Sequence, residues 1–141
     1  MAASLEEWGL EPPEDSGAGA FGLDHVDLAR FEDMLFRHGT ALTHRVFTAR
    51  ELAQASGRSR HLAARLAAKE AASKALGTGI GPVRWQDFQV LTDSSGRPGV
   101  HLSGLARERA DELGLTRWLV SLSHTSSTVV ALVAASREEE R

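Results

Sequence analysis

The sequence has no cysteine among its 141 residues, which excludes disulfides, thiolate zinc sites and cysteine nucleophiles. It also lacks any apolar run near the roughly 20 residues that span a membrane. Its acidic N-terminus lacks the basic and apolar regions of a signal peptide. The net charge of −3 argues against a general nucleic-acid-binding protein. We therefore expect a cytoplasmic protein whose partners are neither nucleic acids nor membranes.

The composition is that of an ordinary globular domain, with 42% apolar and 25% charged residues. The length suits one domain with its own core. Residues 1–18 contain prolines, acids and little periodicity, so we expect a flexible extension there. Residues 19–136 hold the periodic segments and form the predicted domain. Residues 137–141 are a charged tail that we expect to be solvated.

Helix and strand signals divide this domain into short elements. Asp27 suits a helix N-cap, and this first helix is expected to stop at His38 and Gly39. A capping-box pattern from Thr48 to Glu51 opens a second, short helix. The other predicted elements are a strand at 20–26, a long alanine-rich helix that ends at Gly77, a hairpin within 88–102, a helix at 103–113 and strands at 118–124 and 129–135. Together they predict an α+β domain in which a small antiparallel sheet packs against the long helix.

The alanine-rich helix is apolar on nearly all sides, which is typical of a helix buried between other elements. Four charged residues interrupt it and form two i,i+4 strips, Arg65 with Lys69 and Glu70 with Lys74. Both strips are expected to leave the protein body at narrow gaps. Charges beside buried surface are costly unless they are paired or bound to something, so this helix is a candidate site. The alternative is an ordinary Glu–Lys helix pair, worth a few tenths of a kcal/mol.

Asp24 near the end of the first strand and Glu70 on the helix are candidates to converge on a hard cation. Mg²⁺ typically takes one or two carboxylates together with waters and substrate phosphate oxygens. Taken alone, Asp24 is equally a strand-end turn residue. His124 ends a later strand, where a histidine often has a core or capping role.

A glycine-spaced loop follows the helix, with Gly77, Gly79 and Gly81. Glycines let backbone N–H groups approach an anion closely. A helix C-terminus disfavours anions, so a phosphate there would also need a cation such as Lys74, one turn away. The alternative is a loop that only terminates the helix.

Three motifs in order resemble the holo-acyl-carrier-protein synthase family, the small trimeric 4′-phosphopantetheinyl transferases. Residues 22–30 resemble Gly-x-Asp-(Ile/Leu)-Val-(Glu/Asp)-(Ile/Leu)-x-Arg. Residues 65–81 resemble Arg-(Phe/Trp)-Ala-Ala-Lys-Glu-Ala-x-x-Lys-Ala-x-Gly-Thr-Gly-Ile-Gly, and residues 120–124 resemble Val-Ser-(Ile/Leu)-(Ser/Thr)-His. Residues 93–99 also resemble the family's Asp-x-x-Gly-(Lys/Arg)-Pro hairpin. The resemblance covers residues 20–135 and implies the 4′-phosphopantetheinyl transferase fold.

The resemblance implies that coenzyme A gives its 4′-phosphopantetheine arm to a serine of an acyl carrier protein, with 3′,5′-ADP as the leaving product. Asp24 and Glu70 would hold Mg²⁺ on the pyrophosphate. Glu70, or a water that it orients, would take the serine proton. Lys74 would stabilise charge on the transferring and departing phosphates. The implied catalytic residues are thus Asp24, Glu70 and Lys74.

The resemblance also implies binding residues and an assembly. The implied coenzyme-binding residues are Arg65, Lys69, Lys74, Gly77, Gly79, Gly81 and His124. Arg65 and Lys69 would bind the nucleotide phosphates. Arg30 would face the acidic recognition helix of the carrier protein. A homotrimer with active sites between subunits is the expected assembly.

Two departures from the family pattern leave alternatives open. Leu119 stands where the family usually has histidine, and His25 replaces an aliphatic residue beside Asp24. One alternative is therefore a degenerate homologue that binds coenzyme A or a carrier protein without transferring the arm. Another is an unrelated α+β interaction domain in which the charged helix is a subunit interface.

Overall fold

A computed structural model describes residues 19–138 of the chain. The predicted extension at 1–18 and residues 139–141 of the predicted tail lie outside the described residues. No helix within 19–138 is long and apolar enough to cross a membrane. The helices and strands are β1 (Ala20–Asp27), α1 (Leu28–Val46), α2 (Ala49–Ala55), α3 (Ser59–Ala75), β2 (Phe88–Thr92), β3 (Pro98–Leu102), α4 (Gly104–Leu113), β4 (Leu115–His124) and β5 (Thr128–Arg137).

The strands form two antiparallel groups. A three-stranded sheet has the order β1-β5-β4, and β2 pairs with β3 as a separate hairpin. The N-terminal strand therefore lies beside the C-terminal one, with Ala20 opposite Ala135 and Asp27 opposite Thr128. The predicted α+β class and the predicted hairpin are confirmed.

The long helix α3 lies at the centre of the core. Most of its alanines, among them Ala67, Ala68, Ala71 and Ala72, are fully buried, as the apolar pattern predicts. Such small side chains let β1 approach the helix closely at Gly22, where a β-carbon would lie 1.7 Å from the carbonyl oxygen of Ala71. The close approach therefore requires glycine.

The three-stranded sheet has one covered and one open face. Val133 and Ala131 of β5 are buried against α3, whereas Leu132 between them is exposed, because successive strand residues point to opposite faces. The residues that define the open face, called here the outer sheet face, are Phe21, Leu23, Leu119 and Leu132, which are between 45% and 71% exposed. A contiguous apolar face of this kind marks an interaction surface.

The helix caps and the break in α1 follow the sequence signals. Asp27 caps α1, since its Oδ1 accepts the N–H of Arg30 at 3.0 Å, and Thr48 and Glu51 form the predicted capping box of α2. The predicted stop at Gly39 is confirmed as the end of the first helical segment of α1. Gly39 adopts φ 50° and ψ −130°, which kinks the chain, and helical turns resume and continue to Val46. Glycine reaches this conformation at low cost, so the break is local.

Candidate active site

Asp24, Glu70 and Lys74 converge where β1 crosses α3. The Nζ of Lys74 lies 3.2 Å from Oδ1 of Asp24 and 3.2 Å from the carbonyl oxygen of Leu23. Glu70 lies one turn before Lys74, and its carboxyl is close enough to that of Asp24 for each group to shift the pKa of the other. Lys74 thus pairs across to β1, and the ordinary i,i+4 pair with Glu70 does not describe its contacts.

The two carboxyl groups of this site have opposite pKa shifts. Burial and the neighbouring carboxyl group of Asp24 raise the pKa of Glu70 to about 8. Burial alone would raise the pKa of Asp24, but the neighbouring carboxyl group of Glu70 and the ammonium of Lys74, which donates to Asp24, outweigh burial and lower that pKa. Two carboxylates at short distance cannot both ionise without cost. Near neutral pH, Glu70 therefore keeps its proton unless a bound cation compensates the second negative charge.

The donor set fits a hard divalent cation. Oδ2 of Asp24 is buried and has no protein hydrogen-bond donor, an arrangement that calls for a proton or a metal. Within residues 19–138 no group of three or more His, Cys, Asp or Glu side chains could enclose a metal by itself. Two carboxylates suffice for Mg²⁺ when waters and substrate phosphates complete its shell.

Lys69 does not belong to this site, and its predicted role as a phosphate ligand is wrong. Its side chain is fully buried, and its ammonium donates to Oε1 of Glu51 at 2.7 Å, to the carbonyl oxygen of Trp85 at 3.1 Å and to the carbonyl oxygen of Phe88. An ammonium group has three N–H donors, so none remains for a ligand. Burial lowers the pKa of Lys69, whereas the charge of Glu51 opposes this shift.

Arg65 also turns inward and does not leave the body of the protein as predicted. Its guanidinium donates to the carbonyl oxygen of Val90 at 3.1 Å, to the carbonyl oxygen of His61 at 3.1 Å and to Oε1 of Gln54 at 2.9 Å. A guanidinium has five N–H donors, so capacity remains for a ligand. The side chain lies in the wall of a cavity.

This cavity has a volume of about 890 Å³ and lies between the N-terminal half of α3, the tip of the β2–β3 hairpin and β4. Its basic lining residues are Arg60, His61, Arg65, Arg97 and His124. Among the described residues, no carboxylate lines it. The predicted residues Arg65 and His124 therefore share one basic cavity.

Sequence reasoning missed three of the basic lining residues, Arg60, His61 and Arg97. Arg60 and His61 lie on the first turn of α3, whereas Arg97 lies in the β2–β3 turn. Of the three, Arg97 alone falls within a motif, the Asp-x-x-Gly-(Lys/Arg)-Pro hairpin. Burial and the charges of neighbouring arginines lower the pKa of His61, so an anion in the cavity would be favourable. The positive lining and the apolar side chain of Trp118 suit a ligand that has both phosphates and an apolar body.

The cavity and the carboxylate site occupy different faces of α3. Arg65 and Glu70 are five positions apart, which places their side chains about 140° apart around the helix. Asp24 and Glu70 are not among the cavity-lining residues. Within one chain, the cavity and the carboxylate site are therefore separate.

The remaining predicted residues lie at the surface or in loops. The glycine loop follows Lys74, and Gly77 closes α3 in the left-handed conformation with its N–H bonded to the carbonyl oxygen of Lys74. Gly79 and Gly81 also have positive φ, and a β-carbon on any of the three would meet nothing within 4 Å. Arg30 is exposed on the first turn of α1. Their predicted ligand contacts stay predictions.

The chain belongs to the 4′-phosphopantetheinyl transferase superfamily, whose sequence model matches residues 20–133. Proteins named holo-[acyl-carrier-protein] synthase from Moorella thermoacetica and Geotalea daltonii are 45% identical over 124 residues and 42% identical over 120 residues. These matches cover 84% and 82% of this chain and 96% of each relative.

A solved structure extends this similarity to the fold. The crystal structure of Helicobacter pylori holo-[acyl-carrier-protein] synthase in complex with coenzyme A has a TM-score of 0.76 to this chain at 29% identity, and the match covers 82% of this chain and 99% of that one. The predicted family and fold are confirmed. An unrelated interaction domain is excluded.

Proposed function

We propose that this chain transfers the 4′-phosphopantetheine arm of coenzyme A to a serine of an acyl carrier protein and releases 3′,5′-ADP. The observation that carries the proposal is the convergence of Asp24, Glu70 and Lys74 at one crossing of β1 and α3. Family membership and the coenzyme A bound to the Helicobacter pylori relative support the substrate.

Each residue of the carboxylate site has a role in this reaction. The serine oxygen forms a bond to the phosphorus of the arm while the bond to the leaving 3′,5′-ADP breaks. Glu70 in its ionised form accepts the serine proton, directly or through a water. Lys74 places its ammonium, which is 54% exposed, where charge develops on the phosphates. Asp24 and Glu70 would hold Mg²⁺, which neutralises charge on the pyrophosphate oxygens when bound.

The basic cavity is proposed to take the nucleotide phosphates through Arg65 and His124. Because the cavity and the carboxylate site lie apart in one chain, a complete site needs the cavity of one subunit beside the carboxylates of another. The uncovered outer sheet face supplies apolar surface for such an assembly. A homotrimer with shared sites accounts for both features.

Carrier-protein recognition is proposed for the start of α1. Arg30 and Met34 lie one turn apart and are exposed, a combination that suits an acidic, amphipathic helix. Carrier-protein binding at this surface is then largely electrostatic, and its affinity should fall at high salt. The cytoplasmic location expected from the sequence remains a prediction.

Intact-protein mass spectrometry of an apo acyl carrier protein tests the proposal. The carrier is incubated with this chain, coenzyme A and Mg²⁺, beside an EDTA control and a Glu70→Gln control. We expect a mass gain of one phosphopantetheine arm that both controls abolish. No gain on carrier proteins from several pathways, together with measurable coenzyme A binding, would favour the degenerate homologue.

Subunit mixing tests the shared site. Glu70→Gln damages the carboxylate half, and Arg97→Ala damages the cavity half. If the halves come from different subunits, mixing the two weak variants under conditions of subunit exchange restores part of the activity. Mixing without any gain, in assemblies shown to exchange, would mean that each chain carries a complete site.

A further inference from the structure

We propose that the buried Lys69–Glu51 pair is a positioning device for Glu70, the neighbouring residue on α3. The inference rests on the proposed function of Glu70. It assigns Lys69 to the orientation of the active-site helix and gives Glu51 a role beyond the cap of α2. Neither residue touches the substrate in this proposal.

The first evidence is that Lys69 is held from three directions. Glu51 belongs to α2, Trp85 to the 3₁₀ turn before β2, and Phe88 to β2 itself. Glu51 is held in turn, since its Oε1 accepts the N–H of Thr48 at 2.9 Å and its Oε2 accepts the N–H of Val90 at 3.0 Å. Both side chains are 0% exposed. The ammonium therefore has one defined position relative to three other elements.

The second evidence is that side chains of α2 and α3 occupy the free edge of β2. An edge strand exposes N–H and C=O groups that need partners. Here Glu51 accepts from the N–H of Val90, Arg65 donates to its carbonyl oxygen, and Gln54 bonds both the N–H and the carbonyl oxygen of Thr92. Lys69 donates to the carbonyl oxygen of Phe88, the first residue of the same strand. The hairpin thus serves as a rigid support against which α3 is fixed.

The hydrogen bonds of Arg65 and Lys69 restrain the rotation of α3. Arg65 and Lys69 are one turn apart and fix the same side of α3, so rotation of the helix about its axis is restrained at two heights. Glu70 follows Lys69 by 100° around the helix and faces β1. For a carboxylate roughly 6 Å from the axis, a rotation of about 10° moves it by about 1 Å. A displacement of that size can lower a rate about 100-fold.

Two variants and one control separate positioning from stability. Lys69→Met removes the cation and leaves Glu51 buried without its partner. The double variant Lys69→Met with Glu51→Gln removes the lone charge as well, so its thermal midpoint should recover relative to Lys69→Met. The control Ala110→Gly removes a buried methyl group from α4, an element that supplies no hydrogen-bond partner to Lys69 or Glu51.

The measurements are the thermal midpoint, kcat and KM for coenzyme A well below each midpoint, and Mn²⁺ affinity by electron paramagnetic resonance. We expect kcat to fall about 10- to 100-fold in both Lys69 variants, with KM changed less than about threefold and Mn²⁺ bound more weakly. The double variant should regain stability without regaining kcat. Ala110→Gly should lower the midpoint, because glycine is unfavourable inside a helix, and leave kcat and Mn²⁺ affinity near wild type.

Three results would overturn the inference. If kcat of the double variant recovers together with its midpoint, the pair has a stabilising role alone. If KM for coenzyme A rises while kcat holds, Lys69 serves the coenzyme. If Mn²⁺ affinity is unchanged in every variant, Glu70 has not moved. A wild-type chain that modifies no carrier protein contradicts the proposed function instead, and the Mn²⁺ measurement still tests the positioning.

Discussion

Two lysines of α3 have similar sequence surroundings and opposite environments. Lys69 is fully buried, and Glu51 and two carbonyl oxygens fill its bonding capacity. Lys74 is half exposed and pairs with Asp24, whose second oxygen lacks a donor. A satisfied charged cluster stabilises structure, whereas an incompletely satisfied one retains capacity for a proton, a metal or a substrate. The comparison separates the scaffold of this helix from its chemistry.

The largest effect expected is on activity, through the incompletely satisfied cluster. Glu70→Gln removes the proposed proton acceptor and one of the two carboxylates proposed to hold Mg²⁺. General-base catalysis contributes about 10²- to 10⁴-fold, so we expect carrier-protein modification to fall at least that far. Initial rates followed by mass spectrometry measure this loss. Near-normal rates would place the proton acceptor elsewhere.

The second prediction contrasts the stabilities of the two lysine sites. Lys69→Met leaves a buried carboxylate without its cation, which should destabilise the fold by about 3–5 kcal/mol. In Lys74→Met the lost ammonium is 54% exposed but its partner Asp24 is 11% exposed, so the cost should exceed the roughly 0–1 kcal/mol of a surface pair and stay below that of the buried pair. Urea unfolding of both variants at one pH measures the difference. Equal losses of unfolding free energy would erase the distinction between the two clusters.

The third prediction concerns the close crossing that brings Asp24 to the site. In Gly22→Ala the added β-carbon meets the carbonyl oxygen of Ala71 at 1.7 Å, so β1 must shift away from α3. Overpacking of this kind costs about 1–3 kcal/mol, and Asp24 moves with the strand. Activity should fall by more than the loss of folded protein explains. Thermal unfolding and reaction rates measured on the same preparation separate the loss of folded protein from the effect of moving Asp24. A rate loss equal to the loss of folded protein would contradict the prediction.

The smallest effect expected is a pH dependence of stability. Since the pKa of Glu70 is about 8 in the folded chain against a usual value of 4.5, the folded state holds a proton that the unfolded state loses between these values. Unfolding free energy should therefore fall as pH rises from about 4.5 to about 8. Glu70→Gln should lack this component and gain stability relative to wild type at pH 8. Chemical denaturation at pH 5, 6.5 and 8 measures how the unfolding free energy of wild type and of Glu70→Gln depends on pH. The same dependence in both proteins would contradict the raised pKa of Glu70.

Local sequence signals predicted the elements and the carboxylate site, but they misplaced two cations. The alanine pattern identified a buried helix, and the capping signals at Asp27 and Thr48 were confirmed. Periodicity gave the positions of the four helix charges but could not show where each points. The partner of Lys69 is Glu51, which lies 18 residues earlier. The capping-box pattern accounts for Glu51 without any contact to Lys69. A local pattern predicts the capping role of such a side chain but not its second, long-range contact.

The basic cavity was hidden for a related reason. Its walls come from the start of α3, the hairpin tip and β4, which are far apart along the chain. Individually, Arg60, His61 and Arg97 look like solvated surface residues. Arg65 and His124 entered the prediction through the family resemblance. Only the folded arrangement shows that all five line one cavity.

The pairing of β1 with β5 also determines when during synthesis the site can form. Asp24 lies opposite Ala131, so the first strand of the described fold finds its neighbour only after the last strand has been made. Contacts this far apart in sequence close slowly, and the ribosome delivers N-terminal segments first. A nascent chain that stops before β5 can form α3 with Glu70 and Lys74, but it has no sheet to hold Asp24 beside them. Metal affinity would therefore be acquired at the end of folding, and a prematurely terminated chain would be inert.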